Sequence, residues 1–171
     1  MLNESDLQVE QATDGRRPTH AFVPVGVGSV AHAVTEHFKK SEEGHPCRAS
    51  VLTVEPTTAA CLRASLEAGN MVSVSTGDTI MCGMNCGTVS STAWPVLKQG
   101  VDADVLVTDN AVHVAVEELK QMGINAGPCG ASTLAALKTV CREARNQLRL
   151  NEHSIVVLFC TEGSREYDVP K

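Results

Sequence analysis

The stretch HAFVPVGVGSV, residues 20–30, decides how the chain is expected to fold. Its first six residues form a continuous apolar run, which is typical of a β-strand covered on both faces. Gly26 and Gly28 interrupt the run, and Ser29 then begins an amphipathic helix. A strand that leads into a helix through a glycine-rich turn is the elementary unit of an α/β fold.

The same alternation of strand and helix continues along the chain. Further strands are predicted at residues 50–54, 72–74, 104–108 and 155–159. The last of these is purely apolar, so we expect it to be buried on both sides near the centre of the sheet. Helices are predicted from about Thr57, from Trp94, from Thr108 or Asp109, and, the longest, after a turn at residues 127–130. The chain is therefore predicted to have an α/β fold with a mainly parallel sheet and helices on both faces.

Residues 1–18 are polar and show no periodicity, so they are expected to be a tail or a remnant of something upstream. Residues 19–171 are expected to form one domain. The acidic start of the sequence predicts no signal peptide, and no apolar run is long enough for a spanning helix. The net charge of −6 and the absence of a basic run argue against nucleic acid or a membrane as partners.

The sequence contains 7 cysteines, an odd number. This favours reduced, packed thiols in a cytoplasmic protein over a disulfide framework. Cys82 and Cys86 have a spacing that zinc sites tolerate, but no second pair completes a ligand set, so no metal site is expected. Cys129 precedes a helix, where a thiol pKa can be lowered; a packed thiol is the alternative.

Three loops are candidates for chemistry, because ligands in parallel α/β sheets bind beyond the carboxyl ends of strands. They are residues 26–31, 127–132 and 161–163. The first two pair glycines with a helix start, where backbone N–H groups can bind an anion such as phosphate. Ser29 and Thr161 add hydroxyl groups. The alternative is a purely structural role, in which the glycines allow close packing and Thr161 caps its own backbone.

A nucleotide-binding Rossmann domain is an alternative for the first loop. Gly26, Gly28 and Ala31 fit its glycine fingerprint, and Glu55 ends the next strand, where a ribose-binding acid would stand. Pro56 follows Glu55 at once, however, and the sequence offers no pair of residues suited to hydride transfer.

Several motifs occur in one order: THAFVPVGVGSVA at residues 19–31, VEP at 54–56, TIMCG at 79–83 and TEG at 161–163. Together they resemble the C-terminal half of 2,3-diaminopropionate ammonia-lyase, a pyridoxal-phosphate enzyme of the tryptophan synthase β-like fold (fold type II). The resemblance runs from about residue 19 to residue 167. It implies β-elimination of a small amino acid to pyruvate and ammonia, with pyridoxal 5′-phosphate as cofactor.

The resemblance also implies roles for two groups of residues. The cofactor phosphate would be held by Gly26, Val27, Gly28 and Ser29, and Thr161 would lie beside the pyridine nitrogen. The substrate side of the ring would be lined by Cys82, Gly83, Cys129 and Gly130.

The family's Schiff-base lysine would lie in an N-terminal half that this sequence lacks, so no catalytic residue is assigned here. Its own lysines lie among polar neighbours, which is typical of solvated surface groups. Two hypotheses follow: part of a longer or split lyase, or a non-catalytic truncated homologue that binds phosphate or a partner. Without the other half we expect an apolar patch, and hence a partner, a homo-oligomer or poor solubility.

Overall fold

The computed structural model describes residues 2–40 and 49–170. Within them the elements are α1 (Leu2–Ala12), β1 (His20–Pro24), α2 (Ser29–Lys39), β2 (Ser50–Pro56), α3 (Cys61–Ala68), α4 (Trp94–Gly100), β3 (Ala103–Val107), α5 (Asp109–Gln121), α6 (Pro128–Glu143) and β4 (Val156–Leu158). A short 3-10 turn spans Cys82–Met84. None of the helices in these ranges has the length and apolar character needed to cross a membrane.

The four strands form one parallel sheet in the order β3-β2-β1-β4. Side chains alternate between its two faces, as a pleated strand requires. Phe22 belongs to the core under α5 and α6, whereas its neighbours Ala21 and Val23 belong to the core shared with α2, α3 and α4. The predicted α/β fold, with a parallel sheet and helices on both faces, is therefore confirmed.

Two helix starts show how capping side chains position these elements. Thr108 is the N-cap of α5, and its hydroxyl accepts a hydrogen bond from the amide of Ala111. The helix predicted from about Thr57 begins later, at Cys61. It starts there because the carboxylate of Glu55 accepts hydrogen bonds of 2.8 Å from the amides of Leu62 and Arg63.

Two strand predictions were wrong in part. Residues 72–74 form no strand; the amide of Val74 bonds to the carbonyl of Gly87, outside the sheet. The last strand is shorter than predicted and lies at the edge of the sheet among the described residues. Its residues are half-buried, because one of its two lateral sides has no neighbouring strand.

Within residues 1–18, expected to be a polar tail or a remnant, Leu2–Ala12 forms α1. This helix has no buried residue, which explains why its sequence shows no apolar stripe. Asp6 pairs with His37 at 2.8 Å and so attaches α1 to α2. The polar sequence at residues 39–44 predicts that α2 closes with a solvated end, and this stretch lies partly outside the described residues.

Candidate functional site

The candidate site lies beyond the carboxyl-terminal ends of β1 and β4. These strands are parallel neighbours, with His20 opposite Val156 and Phe22 opposite Leu158. The loop that contains Gly28 and the loop that contains Thr161 therefore leave the sheet at the same end, where the carboxyl termini of the parallel strands lie. The amide of Phe159 donates to the carbonyl of Phe22 and extends this pairing toward both loops.

The glycines of the first loop are required by close packing. Gly28 has a φ of 96°, in the left-handed region, and a Cβ there would lie 2.9 Å from Cδ1 of Leu97. A Cβ on Gly26 would lie 2.7 Å from the carbonyl oxygen of Gly83. The geometry therefore supports the packing explanation for both glycines, and this explanation does not conflict with anion binding by the amides of α2.

The start of α2 offers donors for an anion. Its N-cap is Gly28, which has no side chain, and no side chain of the described residues bonds to the amides of Ser29, Val30 or Ala31. Val27 and Ser29 are exposed beside them. The first turn of an α-helix has amides without partners in the helix and a partial positive charge, so this end suits a phosphate group.

The segment at residues 127–132 was predicted as a loop at a strand end, which is wrong: it follows α5, with Gly127 as the N-cap of α6 and residues 128–132 within that helix. It still reaches the same end of the sheet, because Ala126 forms a bridge with Gly163. A Cβ on Gly130 would lie 2.5 Å from Sγ of Cys160, next to Thr161. The loop that begins α6 is thus packed against the loop that leaves β4.

The proposed substrate side brings the remaining predicted residues together. A Cβ on Gly83 would lie 3.3 Å from Sγ of Cys129, and Gly83 also approaches Gly26. Cys82 and Gly83 are exposed, whereas Cys129 and Gly130 are buried. Residues from four separate loops therefore meet around one surface.

Thr161 is exposed and does not lie at the centre of the sheet as predicted. It lines a groove of about 550 Å³ between α1 and β4. Thr161 is exposed because it follows β4, which is the outermost strand of the sheet in the described residues. The Thr161 hydroxyl is accordingly open to a ligand or to a further polypeptide segment at this edge.

Cys129 is not a low-pKa thiol despite its place in the first turn of α6. Burial, with the negative charge of Glu162, raises its pKa to about 11. Burial likewise raises the pKa of Cys61, beneath the first loop, to about 12. Both thiols are protonated at neutral pH and serve as packed groups. The expectation of packed cysteines fails for Cys82, Cys141 and Cys160, which are exposed.

Glu55 does not provide a ribose-binding acid. Its side chain is fully buried, and both carboxylate oxygens accept amides at the start of α3. The Rossmann alternative thereby loses the acidic residue on which it depended.

The described lysines are not placed to attach a cofactor at this end of the sheet. Lys39 pairs with Asp102, Lys120 with Glu117 and Lys138 with Glu118, and Lys98 donates to the carbonyl of Gly69. Lys40 lies just beyond the far end of α2, a helix of 11 residues or about 16 Å.

Sequence reasoning missed Glu162 and Arg165, which connect the loops. Glu162 accepts an amide of α6 at 2.6 Å, and Arg165 donates both to Glu162 and to the carbonyl of Ile80. The only signal was their nearness in sequence to Thr161. Their partners on α6 and at Ile80 are too distant in sequence for local patterns to indicate.

Comparisons with known proteins identify the family to which the chain belongs. The family model described as "Pyridoxal-phosphate dependent enzyme" matches residues 6–161. A threonine dehydratase from Nicotiana attenuata is 28% identical over 149 residues, 82% of this chain and 24% of the relative. The chain therefore belongs to the family of pyridoxal-phosphate-dependent enzymes.

Solved structures show the same fold. Diaminopropionate ammonia lyase from Escherichia coli is similar with a TM-score of 0.80 and 25% identity, over 95% of this chain and 43% of that one. The processed form of threonine deaminase isoform 2 from Solanum lycopersicum is similar with a TM-score of 0.76 and 23% identity, over 94% and 44%. The chain thus spans less than half the length of these two structures and about a quarter of the first curated relative.

Proposed function

We propose that this chain is the cofactor-phosphate-binding part of a pyridoxal-phosphate-dependent lyase that acts on a small amino acid by β-elimination. The observation that carries the proposal is the parallel pairing of β1 with β4, which brings the uncapped start of α2 and Thr161 to one end of the sheet. Family membership supports the cofactor, and the names of the relatives support a lyase.

The donor set fits the cofactor. Amides of residues 29–31 and the hydroxyl of Ser29 would bind the phosphate, and the neutral Thr161 hydroxyl would lie beside the ring nitrogen without protonating it. When bound, pyridoxal phosphate supplies the electron sink that stabilises the charge left by removal of the substrate's α-proton. The loops of Cys82 and Cys129 would form the protein surface around the substrate.

We propose that the described residues bind the cofactor without a covalent anchor, because the described lysines lie elsewhere. Catalysis would then need the remaining half of the fold, on this chain or on another. The alternative is a non-catalytic homologue that binds phosphate or a partner. The two hypotheses predict different results when the other half is added: turnover is restored if the chain is part of a lyase, and it is not restored if the chain is a non-catalytic homologue.

For the partner, we propose that this other half covers the free side of β4. Val156, Val157 and Leu158 are apolar yet only half-buried, and the groove beside them opens next to Thr161. Val27, in the first loop, is also apolar and is 47% exposed. A homo-oligomer is the alternative occupant. The free cysteines favour a cytoplasmic location.

We propose that the substrate is 2,3-diaminopropionate, because the motifs at residues 19–31, 54–56, 79–83 and 161–163 together resemble those of 2,3-diaminopropionate ammonia-lyase. Threonine is the competing choice, since the relatives include threonine dehydratases. In the chain loaded with pyridoxal phosphate, 2,3-diaminopropionate should shift the NMR amide signals of residues 82–83 and 129–130 at lower concentration than L-threonine does. The reverse order would reject this substrate.

The function is tested by titrating the chain with pyridoxal 5′-phosphate, followed by borohydride reduction and peptide mass spectrometry. We expect saturable binding that phosphate competes away, and no reduced adduct on a lysine. A single reduced lysine in good yield would show that the chain anchors the cofactor itself. Absence of phosphate-dependent binding would reject the proposal, and binding of a nicotinamide dinucleotide instead would favour the Rossmann alternative.

A matched pair of variants locates the binding. Ser29→Ala removes an exposed hydroxyl at the start of α2, and Ser154→Ala removes a hydroxyl ahead of β4, at the opposite end of the sheet. We expect the first to weaken phosphate-dependent binding severalfold and the second to leave it unchanged. Equal effects would place the phosphate elsewhere.

A further inference from the structure

The first turn of α6 has most of its amide donors already satisfied by one residue. The amide of Gly127, the N-cap, donates to the main-chain oxygen of Glu162 at 3.0 Å. Pro128 has no N–H to offer. The amide of Cys129 donates to carboxylate Oε2 of Glu162 at 2.6 Å. A carboxylate of this chain thus holds the position that a bound anion would take at a helix start.

The Glu162 carboxylate is itself held in place. Arg165 Nε donates to Glu162 Oε1 at 3.0 Å, and the same guanidinium donates to the carbonyl of Ile80. A Cβ on Gly127 would lie 2.6 Å from Oε2, so the carboxylate fits against bare backbone. The side chain is only 23% exposed. This is a fixed arrangement of three loops rather than an occasional surface contact.

The start of α2 differs in each of these respects. Its N-cap has no side chain, its first-turn residues are not proline, and no described side chain bonds to its first amides. Both helix starts face the same group of loops, since Gly83 approaches both Gly26 and Cys129. An incoming phosphate therefore meets one open helix start and one already filled by a negative charge.

We propose that Glu162 is a positioning residue that fills the start of α6 and so restricts the phosphate of the ligand to α2. This rests on the proposed function for the role of α2, but the exclusion at α6 is a separate physical property. Fixing the phosphate at one helix start fixes the direction of the ring and places its other end toward Thr161. Without Glu162, the ligand could bind in two directions.

The test is a titration of the ¹⁵N-labelled chain with inorganic phosphate, in which the NMR signals of the backbone amides are recorded at each phosphate concentration. In the unaltered chain we expect saturable shifts at residues 29–31 and none at Cys129 or Gly130. In Glu162→Ala we expect new shifts at Cys129 and Gly130, with an affinity at α6 at least about tenfold above that of the unaltered chain. Glu162→Gln, which keeps the shape and removes the charge, should give a smaller gain at the same amides.

Glu166→Gln is the matched control, since Glu166 is exposed on the same segment, and it should behave as the unaltered chain. Phosphate-induced shifts of the Cys129 amide signal in the unaltered chain would overturn the proposal. So would the absence of such shifts at Cys129 and Gly130 in both Glu162 variants, provided that their NMR spectra show folded proteins. If Glu162→Ala does not fold, Glu162→Gln and the unaltered chain decide. In Glu162→Ala, an absence of shifts at residues 29–31 together with new shifts at Cys129 would reject the proposed function and leave the exclusion of phosphate from α6 by Glu162 standing.

Discussion

Glu55 and Asp104 are buried beside each other on the neighbouring strands β2 and β3. Burial, and next the charge of Asp104, raise the pKa of the Glu55 carboxyl to about 7. The hydrogen bonds from the amides of Leu62 and Arg63 oppose this rise. The carboxyl that caps α3 therefore changes its charge near neutral pH.

Stability is predicted to fall as the pH rises through about 7. The folded-state pKa of Glu55 lies above its ordinary value of 4.5, so between these values the folded protein binds more protons than the unfolded chain. Its stabilising effect is complete below pH 4.5 and lost above 7, on the order of 3 kcal/mol in the free energy of unfolding. Denaturant unfolding at pH 5, 6, 7 and 8 measures it.

The variant Glu55→Gln should flatten this pH dependence, with a loss of about 1 kcal/mol at pH 5 from the weakened cap. Glu166→Gln, an exposed control, should keep the slope. An unchanged slope in Glu55→Gln would assign the pH dependence to other groups.

Two glycine variants separate backbone strain from the role of the first loop. Gly28 and Gly123 have φ values of 96° and 78°, so alanine is strained at both, by about 1–2 kcal/mol. Only at Gly28 would the new methyl group meet neighbours, at 2.9 Å and 3.2 Å. We therefore expect both variants to lower the melting temperature, and only Gly28→Ala to weaken pyridoxal-phosphate binding, by at least about tenfold. Equal binding in the two variants would contradict the assignment of the first loop.

Thiol reactivity should separate two buried cysteines from two exposed ones. Cys61 and Cys129 are buried and have raised pKa values, so iodoacetamide at pH 7.5 should modify them only after unfolding. The exposed Cys82 and Cys141 should react in the folded protein. Mass spectrometry after timed labelling measures the order. Rapid modification of Cys129 would show that the loops at the start of α6 open in solution.

Hydrogen exchange should reveal the uncovered side of β4. The amide of Phe159 points to β1, and alternate amides of a strand point the same way, so those of Val156 and Leu158 point outward. We expect these two to exchange faster than Val157 and Phe159 in the chain alone, and to become protected when a covering segment binds. Protection of all four in a monomer would mean that the side is already covered.

The sequence predicted the fold well because the signals were local. The apolar run at residues 20–25 and the cap at Thr108 each determine structure within a few residues. The place of β4 could not be predicted, because an apolar strand looks the same at the centre of a sheet and at an edge that another segment covers. The length of α3 depended on Glu55, whose role as a cap is set by tertiary packing.

The candidate site was predictable in its parts but not in its assembly. Glycines before a helix pointed to residues 26–29, and the quoted motifs pointed to Thr161. The contact between Gly83 and Cys129, and the use of Glu162 by α6, join residues far apart in sequence. Such contacts leave no local pattern, so they became visible only in the folded chain.

The most direct test is a crystal structure of the chain with pyridoxal 5′-phosphate. We predict the phosphate on the amides of residues 29–31, the ring nitrogen beside the Thr161 hydroxyl, and no bond from a lysine to the cofactor. A phosphate at the start of α6, or a ring that leads away from Thr161, would contradict the account.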